Sequence, residues 1–272
     1  MGKIAGLIIT LNEANNIEQC IDSLDFVDQV FVFDSYSSDD TVELAKNKKA
    51  TVIQRVFDNY ASQRNAAFDS IPASFDWIIM LDADEQITPE LKKELGKELS
   101  KENNPITMYR LRRKDYFMGK WIKHSSGYPT WFGRIFSNGK VRVEREINEE
   151  YYTDGKIGHL KEHIIHFPFS KGIEWWFEKH NRYSSMEAKT LIRKLNEKPN
   201  LNDLFSSDPT IRRKAQKGFS FLIPNRPLVV FVALYILRLG FLDGKAGYIF
   251  CKLRKTYEWM IDLKIKELEK SK

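Results

Sequence analysis

Trp77-Ile78-Ile79-Met80-Leu81-Asp82-Ala83-Asp84-Glu85 is the stretch on which the reading of this chain turns. Five apolar residues in a row are too few for a helix and describe a strand covered on both faces. The strand ends in two carboxylates two residues apart. Thr88-Pro89-Glu90 then reads as a helix start, with a threonine cap and a proline in the first turn. Carboxylates at the carboxyl end of such a strand sit where open α/β sheets bind their ligands. The Asp-x-Asp spacing lets one acid hold a divalent cation while the other reaches a ribose or a water. Hard oxygen ligands suit Mg²⁺ or Mn²⁺, ions that usually come bound to phosphates. A single Asp-Ala-Asp is more often a pair of loop or cap residues, so its meaning depends on the residues around it.

The preceding residues alternate strand and helix signals. Ile4–Ile9 is an apolar strand, Asn15–Leu24 an amphipathic helix, and Gln29–Phe33 a second strand ending in Asp34. Ser38-Asp39-Asp40 caps a helix to about Lys48, Ala50–Ile53 is a third strand, and Ser62–Phe68 is helical. Repeated β-α-β units imply a mainly parallel sheet with helices on both faces. After Thr107 the pieces become short and strand-like (Met108–Arg113, Gly133–Phe136, Val141–Val143, Ile164–Phe167), dense in aromatic and basic residues. A long helix is expected over Trp175–Leu195, with Trp176, His180, Tyr183 and Ala188 turned inward. Glu197–Pro209 reads as a polar linker.

The first strand ends in Thr10-Leu11-Asn12-Glu13 and has neither G-x-G-x-x-G nor the P-loop G-x-x-x-x-G-K, which counts against a dinucleotide-binding dehydrogenase and a P-loop enzyme. Polar side chains gather instead at successive strand ends: Thr10, Asn12 and Glu13, then Asp34 and Ser35, then Gln63, Arg64 and Asn65, then Asp82 and Asp84. Each alone is an ordinary cap or turn residue. Four clusters along one edge of one sheet converge on a nucleotide.

At 272 residues, with 42% hydrophobic and 29% charged residues, the chain can bury a substantial core. Cys20 and Cys251 form no disulfide or zinc spacing, which fits a reducing cytoplasm, and the start has no signal-peptide pattern. The net charge of +6 is uneven: residues 210–272 hold 14 Lys and Arg against 5 Asp and Glu, leaving −3 for the first 209. The same basic tail holds the most apolar run, Pro227–Leu242, which is interrupted by Arg238 and is shorter than the roughly 20 residues of a bilayer span. Basic residues flanking an apolar segment describe a helix at an anionic membrane surface. The plainer alternative is a core helix with a solvated tail. No nucleic-acid-binding module is recognisable, and no nucleic-acid partner is expected.

With T-L-N-E at Thr10–Glu13, F-V-F-D-S-Y-S-S-D-D-T at Phe31–Thr41, Q-R-N at Gln63–Asn65 and L-D-A-D-E at Leu81–Glu85, the chain resembles the inverting family-2 glycosyltransferases of GT-A fold. Further motifs resemble one subgroup, the bacterial lipopolysaccharide-core glucosyltransferases: F-M-G-K-W-I-K-H at Phe117–His124, G-Y-P followed by R-I-F within Gly127–Phe136, H-N-R-Y-S at His180–Ser184 and G-F-L-D-G-K-A-G at Gly240–Gly247. The resemblance implies an α/β fold, a Rossmann-like mixed sheet with flanking helices, over residues 1–196. The nucleotide-sugar half would be 1–100 and the acceptor half 101–196, with a helical, basic and apolar membrane-associating extension at 197–272.

It also implies site roles. Asp34 would recognise the base, uracil, with Thr10 and Arg64 beside it and Asn12 and Glu13 in the same nucleotide-sugar pocket. Asp82 would contact ribose or metal-bound water, and Asp84 the Mg²⁺ or Mn²⁺. Inversion needs a base for the acceptor hydroxyl. The subgroup's His-Glu pair is here Asn148-Glu149, which makes Glu149 the first choice, ahead of Glu150, Glu146 and Asp154. Where subgroup members carry an acid after Tyr-Pro, this chain has Thr130. His124, Arg134 and His166 are candidates for holding phosphate or acceptor sugar, and His166 also for a second metal ligand. Trp121, Tyr128 and Trp131 are candidates for stacking on sugar faces. The expected donor is a UDP-hexose, UDP-glucose first. The expected acceptor is a lipopolysaccharide-core or other lipid-linked glycan, met at the inner face of a bacterial plasma membrane by a cytoplasmic, peripheral enzyme. Transfer to a polyprenyl phosphate is the nearest alternative. A nucleotidyltransferase or a non-catalytic membrane-binding protein is further off.

Overall fold

The computed structural model describes residues 2–144, 150–195, 201–205, 212 and 224–270. The chain forms two compact units, residues 1–116 with 128–170, and residues 117–127 with 171–272. The boundary expected at residue 196 follows the start of the polar linker in the sequence; these units follow packing.

The first unit is built on a mixed sheet. Its strands are β1 (Ile4–Thr10), β2 (Gln29–Asp34), β3 (Thr51–Gln54), β4 (Trp77–Asp82), β5 (Glu85–Ile87), β6 (Ile106–Phe117), β8 (Trp131–Ser137) and β11 (Lys156–His166). The second unit's segment between β6 and β8 holds a two-residue strand, β7 (Lys120–Trp121). The order β3-β2-β1-β4-β8-β6-β11-β5 has parallel pairing through β4 and antiparallel pairing of β8 with both neighbours. Strands β9 (Arg142–Glu144) and β10 (Glu150–Tyr152) form a separate antiparallel pair.

Ile78 to Leu81 are at most 1% exposed, as a run covered on both faces requires. Odd residues of β4 pack with the helices α1 (Ile17–Asp22) and α4 (Pro89–Leu99), and even ones with α3 (Tyr60–Asp69). In α4, Leu91, Leu95 and Leu99 recur every four residues and are buried, and the Thr88 hydroxyl caps its start by accepting from the Leu91 N–H at 3.1 Å. Burying each such leucine contributes about 2 kcal/mol. Strands β6 and β11 are longer than expected: they pair in parallel from Ile106 with Lys156 to Asp115 with His166, so backbone pairing extends them past their apolar parts.

The second unit joins two of the resembling motifs. The Asp243 carboxylate, 3% exposed, accepts the backbone N–H groups of His124 at 2.9 Å and Ser125 at 2.8 Å, and the Ser125 hydroxyl. A Cβ at Gly247 would stand 2.3 Å from the Gly240 carbonyl oxygen, so the G-F-L-D-G-K-A-G turn closes only around glycine. The long helix α5 (Gly172–Leu195) packs on the 27-residue carboxyl-terminal helix Gly244–Lys270. His180 stacks on Trp176 with ring centroids 3.8 Å apart and meets Tyr257 edge-on at 5.0 Å.

Burial, aided by Arg254 and Lys179 and opposed by a hydrogen bond to the Trp176 carbonyl, pushes the His180 pKa down to about 4. The unfolded chain therefore takes up this proton near the ordinary pKa of about 6.5 while the folded one resists it. Stability from this group is complete above pH 6.5 and falls as the pH drops toward 4. The loss should be about 1–2 kcal/mol, less than the full shift because the ring is partly solvated. Denaturant titrations of wild type and His180→Phe across that range check it: the wild-type slope should flatten in the variant.

Candidate active site

The carboxyl-terminal ends of β1, β2 and β4 lie side by side, because Thr10 pairs with Asp34 and Ile9 with Asp82 in parallel register. At the β1–β2 edge, Asp34 is fully buried and accepts the Ser37 N–H at 2.9 Å, the Ser37 hydroxyl and the Gln54 amide at 2.9 Å. Three of about four acceptor positions on the carboxylate are thus filled. Beside it, Thr10 Oγ1 is buried with no hydrogen-bond partner among the described residues. An orphaned hydroxyl next to a nearly saturated acid fits the recognition of a small polar edge such as a base.

Asn12 takes a positive φ of 55° and accepts the Ser38 N–H at 2.7 Å, tying the β1 loop to the β2 loop. Glu13 donates its N–H to the Thr41 hydroxyl at 2.7 Å and accepts the Asn16 amide at 2.6 Å. These two residues shape the loop over the strand ends.

Around the Asp-Ala-Asp turn the charges alternate in one continuous chain. Arg64 Nη2 meets Asp82 Oδ1 at 3.1 Å, and Arg134 Nη2 meets Asp82 Oδ2 at 2.7 Å. Arg134 also holds Glu85 through Nε at 2.9 Å and Nη2 at 2.8 Å, and Arg113 reaches Glu85 at 3.4 Å and Asp115 at 2.9 Å. Asp115 meets His166 Nδ1 at 2.7 Å, and His166 Nε2 meets Asp84 Oδ2 at 3.3 Å. Burial alone would push the Asp82 carboxyl up, but Arg134, Arg64 and Arg113 outweigh it and hold it well below the usual carboxylate range. Burial and Arg113 push His166 down, while Asp84 and Asp115 prevail and raise it to about 9. Asp115 is lowered against its own burial, chiefly by His166 and Arg113.

The register explains this arrangement. On β8, Ile135 faces Tyr109 of β6 and Gly133 faces Arg110, so Arg134 occupies a bulge. A bulge re-aims its side chain, and here Arg134 reaches Glu85 and Asp82. On β11, His166 stands opposite Glu85 of β5 and Asp115 of β6.

The two acids of the turn therefore differ. Both Asp82 oxygens are held by guanidinium groups. Asp84 is partly exposed and shares His166 with Asp115. Two ligands in neighbouring positions of an octahedral Mg²⁺ or Mn²⁺ site stand about 3 Å apart, close to the Asp84–His166 separation. A metal-bound imidazole characteristically gives its other N–H to a carboxylate, which Asp115 supplies. The donor set would suit a divalent cation held by Asp84 and by His166, the cation displacing the proton that the imidazole otherwise shares with Asp84. Among the described residues there is no group of three or more His, Cys, Asp or Glu side chains arranged to hold a metal by themselves.

Of the residues expected from sequence, Arg64, Asp82, Asp84, Arg134 and His166 share this network, and Thr10, Asn12, Glu13 and Asp34 line the adjoining edge. Arg64 reaches Asp82. His124 belongs to the second unit, where its backbone is bound to Asp243. Glu149 and Glu146 lie outside the described residues; Glu150 is in β10, and Asp154 is exposed. Glu85, Arg113 and Asp115 were not foreseen. Their signal was present in R-R-K-D at Arg112–Asp115, charged residues on both faces of a strand, which demand buried partners. A cavity of about 740 Å³ opens at the amino-terminal ends of β1, β4 and β6, near Gly2, Asp76 and Thr107, away from these carboxylates.

A mixed α/β sheet with polar side chains gathered at the carboxyl-terminal ends of its parallel strands has the layout of a GT-A fold. The family model described as glycosyl transferase family 2 matches residues 7–167, more than half of the sequence, and the chain belongs to that family. It is 31% identical over 261 residues to an uncharacterized glycosyltransferase of Rickettsia prowazekii, covering 92% of this chain and 82% of that one. It is 32% identical over 205 residues to one of Rickettsia felis, covering 71% of each. The lipopolysaccharide core biosynthesis glycosyltransferase LpsC of Rhizobium meliloti is 26% identical over 68% of this chain and 70% of its own. Among solved structures, a glucosyl-3-phosphoglycerate synthase of Mycobacterium tuberculosis, in complex with Mn²⁺, UDP and glucosyl-3-phosphoglycerate, aligns at a TM-score of 0.34 and 24% identity. That alignment covers 42% of this chain and 44% of the synthase, so this chain spans less than half the length of that structure.

Proposed function

We propose that this glycosyltransferase moves a hexose, glucose first, from a UDP-sugar to a lipopolysaccharide-core or other lipid-linked glycan with inversion, using Mg²⁺ or Mn²⁺. The observation that carries the reading is the division of labour in the Asp-Ala-Asp turn. Asp82 is fixed by Arg64 and Arg134, and Asp84 is paired with a His166 that Asp115 orients. Thr10 and Asp34 offer the base edge a hydroxyl and a carboxylate. A divalent cation bound by Asp84 and His166 would neutralise the charge that develops on the leaving diphosphate. Glu149 is the proposed base for the acceptor hydroxyl. The core-biosynthesis name of the Rhizobium relative supports the acceptor class.

The test is release of nucleoside diphosphate from a panel of nucleotide sugars with Mg²⁺ or Mn²⁺. Turnover of one UDP-sugar, lost with EDTA, is the expected result. The absence of both turnover and metal-dependent UDP binding would overturn the reading.

The proposed workplace is the anionic, inner surface of a bacterial membrane. In the second unit, Leu228, Val229, Val232, Ile236, Leu237, Leu239, Phe241 and Leu242 are each at least 40% exposed. Exposed apolar side chains this closely grouped mark an interaction surface. The segment runs from the helix Arg226–Val232 through a π-helical turn at Ala233–Leu237, then bends by 73° into the carboxyl-terminal helix. Among the described residues no single helix is long and apolar enough to cross a membrane. The basic tail supplies attraction to anionic headgroups. Co-sedimentation should favour vesicles containing phosphatidylglycerol over neutral ones, and Leu237→Asp with Phe241→Asp should weaken that binding about tenfold or more.

A further inference from the structure

The geometry points to a second recognition surface in the first unit, a cation–aromatic platform on β6, β8 and β11 that takes an anionic group, phosphate or carboxylate, carried by the acceptor saccharide. This rests on the glycosyltransferase reading and names which acceptors that reading admits. Two side chains expected to meet such an anion, Arg134 and His166, are instead engaged with Asp82, Glu85, Asp84 and Asp115. Arg110, Arg112 and Lys114 occupy alternate positions of β6 and so share the opposite face from Arg113 and Asp115.

That face bears a compact group. The Arg112 guanidinium lies 5.1 Å from the Trp131 ring centre and 6.0 Å from that of Tyr128. Trp131 is 41% exposed and meets His159 edge-on at 4.9 Å. The Tyr128 hydroxyl bonds His163 Nε2 at 2.9 Å. Burial, with Lys114 and Arg112 nearby, pushes His163 down to about 4, so the imidazole stays neutral and hydrogen-bonding while the cationic charge rests on the two longer side chains. Arg112 Nη2 donates to the Lys161 carbonyl, which fixes the guanidinium, and its Nε is buried without a hydrogen-bond partner among the described residues. Glu94, the acid that acts on His163, accepts the backbone N–H groups of Lys161 and Glu162, both at 2.9 Å.

An exposed indole beside a fixed guanidinium matches an anionic sugar: the ring takes the apolar face of the pyranose and the cation takes the charge. Position agrees. Trp131 opens β8, whose antiparallel register with β4 carries its start toward the Asp-Ala-Asp end. Met108, on the same face of β6, clusters with Val143 and Tyr151 of the β9–β10 pair.

The test compares glucose, glucose 6-phosphate and glucuronate by titration against the tryptophan indole resonances of the full chain, with UDP and Mn²⁺ binding measured on the same samples. Glucose 6-phosphate, glucuronate or both should bind about tenfold or more tightly than glucose, shifting the Trp131 signal assigned through Trp131→Phe. Which of the two wins tells phosphate from carboxylate. Arg112→Gln should erase the preference while glucose still binds, and Arg112→Lys should retain part of it. Melting curves identify any variant that fails to fold. Equal binding of all three sugars, no binding of any, or an undiminished preference in folded Arg112→Gln overturns the platform. Failure of the wild type to bind UDP with Mn²⁺ counts against the glycosyltransferase reading instead.

Discussion

Asp84→Ala is expected to abolish metal-dependent UDP binding and to cut donor turnover by about a hundred- to a thousandfold, while the protein melts near the wild-type temperature. Asp84 is partly exposed, and its ion-pair partner His166 keeps a second acid, Asp115, at 2.7 Å when Asp84 is removed. Little folding energy depends on it. What is lost is a hard anionic oxygen at the point where diphosphate charge must be balanced, and removing one such electrostatic contributor typically costs that much in rate. Calorimetric titration of UDP with and without Mn²⁺, beside a thermal melt, separates the two effects. Unchanged metal-dependent affinity in the variant would remove Asp84 from the site.

Glu85→Ala should behave in the opposite way, as a folding variant first. Glu85 is fully buried and takes two hydrogen bonds from Arg134, a contact from Arg113 and the N–H of Asp82 at 3.1 Å. Its removal leaves Arg134, 4% exposed, with one acid in place of two. Breaking a buried pair from one side costs about 3–5 kcal/mol, because the remaining charge is desolvated without compensation. In a protein of this size that corresponds to a melting temperature lower by about 10 °C. Glu85→Gln keeps the volume but not the charge and should recover only a minor part. The exposed pair Lys48–Asp22, at 2.7 Å, is the control: Asp22→Asn should shift stability by less than about 1 kcal/mol. A Glu85→Ala protein with wild-type stability would show that the charge chain is not what holds the turn.

Much of the nucleotide half was legible in the sequence because its information is local. Five consecutive apolar residues require a strand covered on both faces, Thr88-Pro89 requires a helix start, and polar residues after each strand fall on one edge once the strands are parallel. The resemblance then attached roles to Thr10, Asp34, Asp82 and Asp84. The sheet strands after Thr107 were less legible. The longest of them are charged as often as apolar, so the apolar pattern found the centre of β8 and most of β9 but only the carboxyl-terminal part of β11 and the centre of β6. Arg134 illustrates the limit. Its arginine-isoleucine-phenylalanine motif reads as a phosphate ligand, yet a bulge in β8, visible only in the pairing of β8 with β6, directs it to Glu85 and Asp82.

The sequence by itself determined the alternating α/β architecture, the order of polar strand ends and the presence of two acids two residues apart after β4, since each follows from residues a few positions apart. Only the tertiary structure decided which acid is locked and which can hold a ligand. That choice depends on Arg64, Arg113, Asp115, Arg134 and His166, which reach Asp82, Glu85 and Asp84 from other elements. Strand register places those charges together, and the cost of burying a charge alone keeps each one paired.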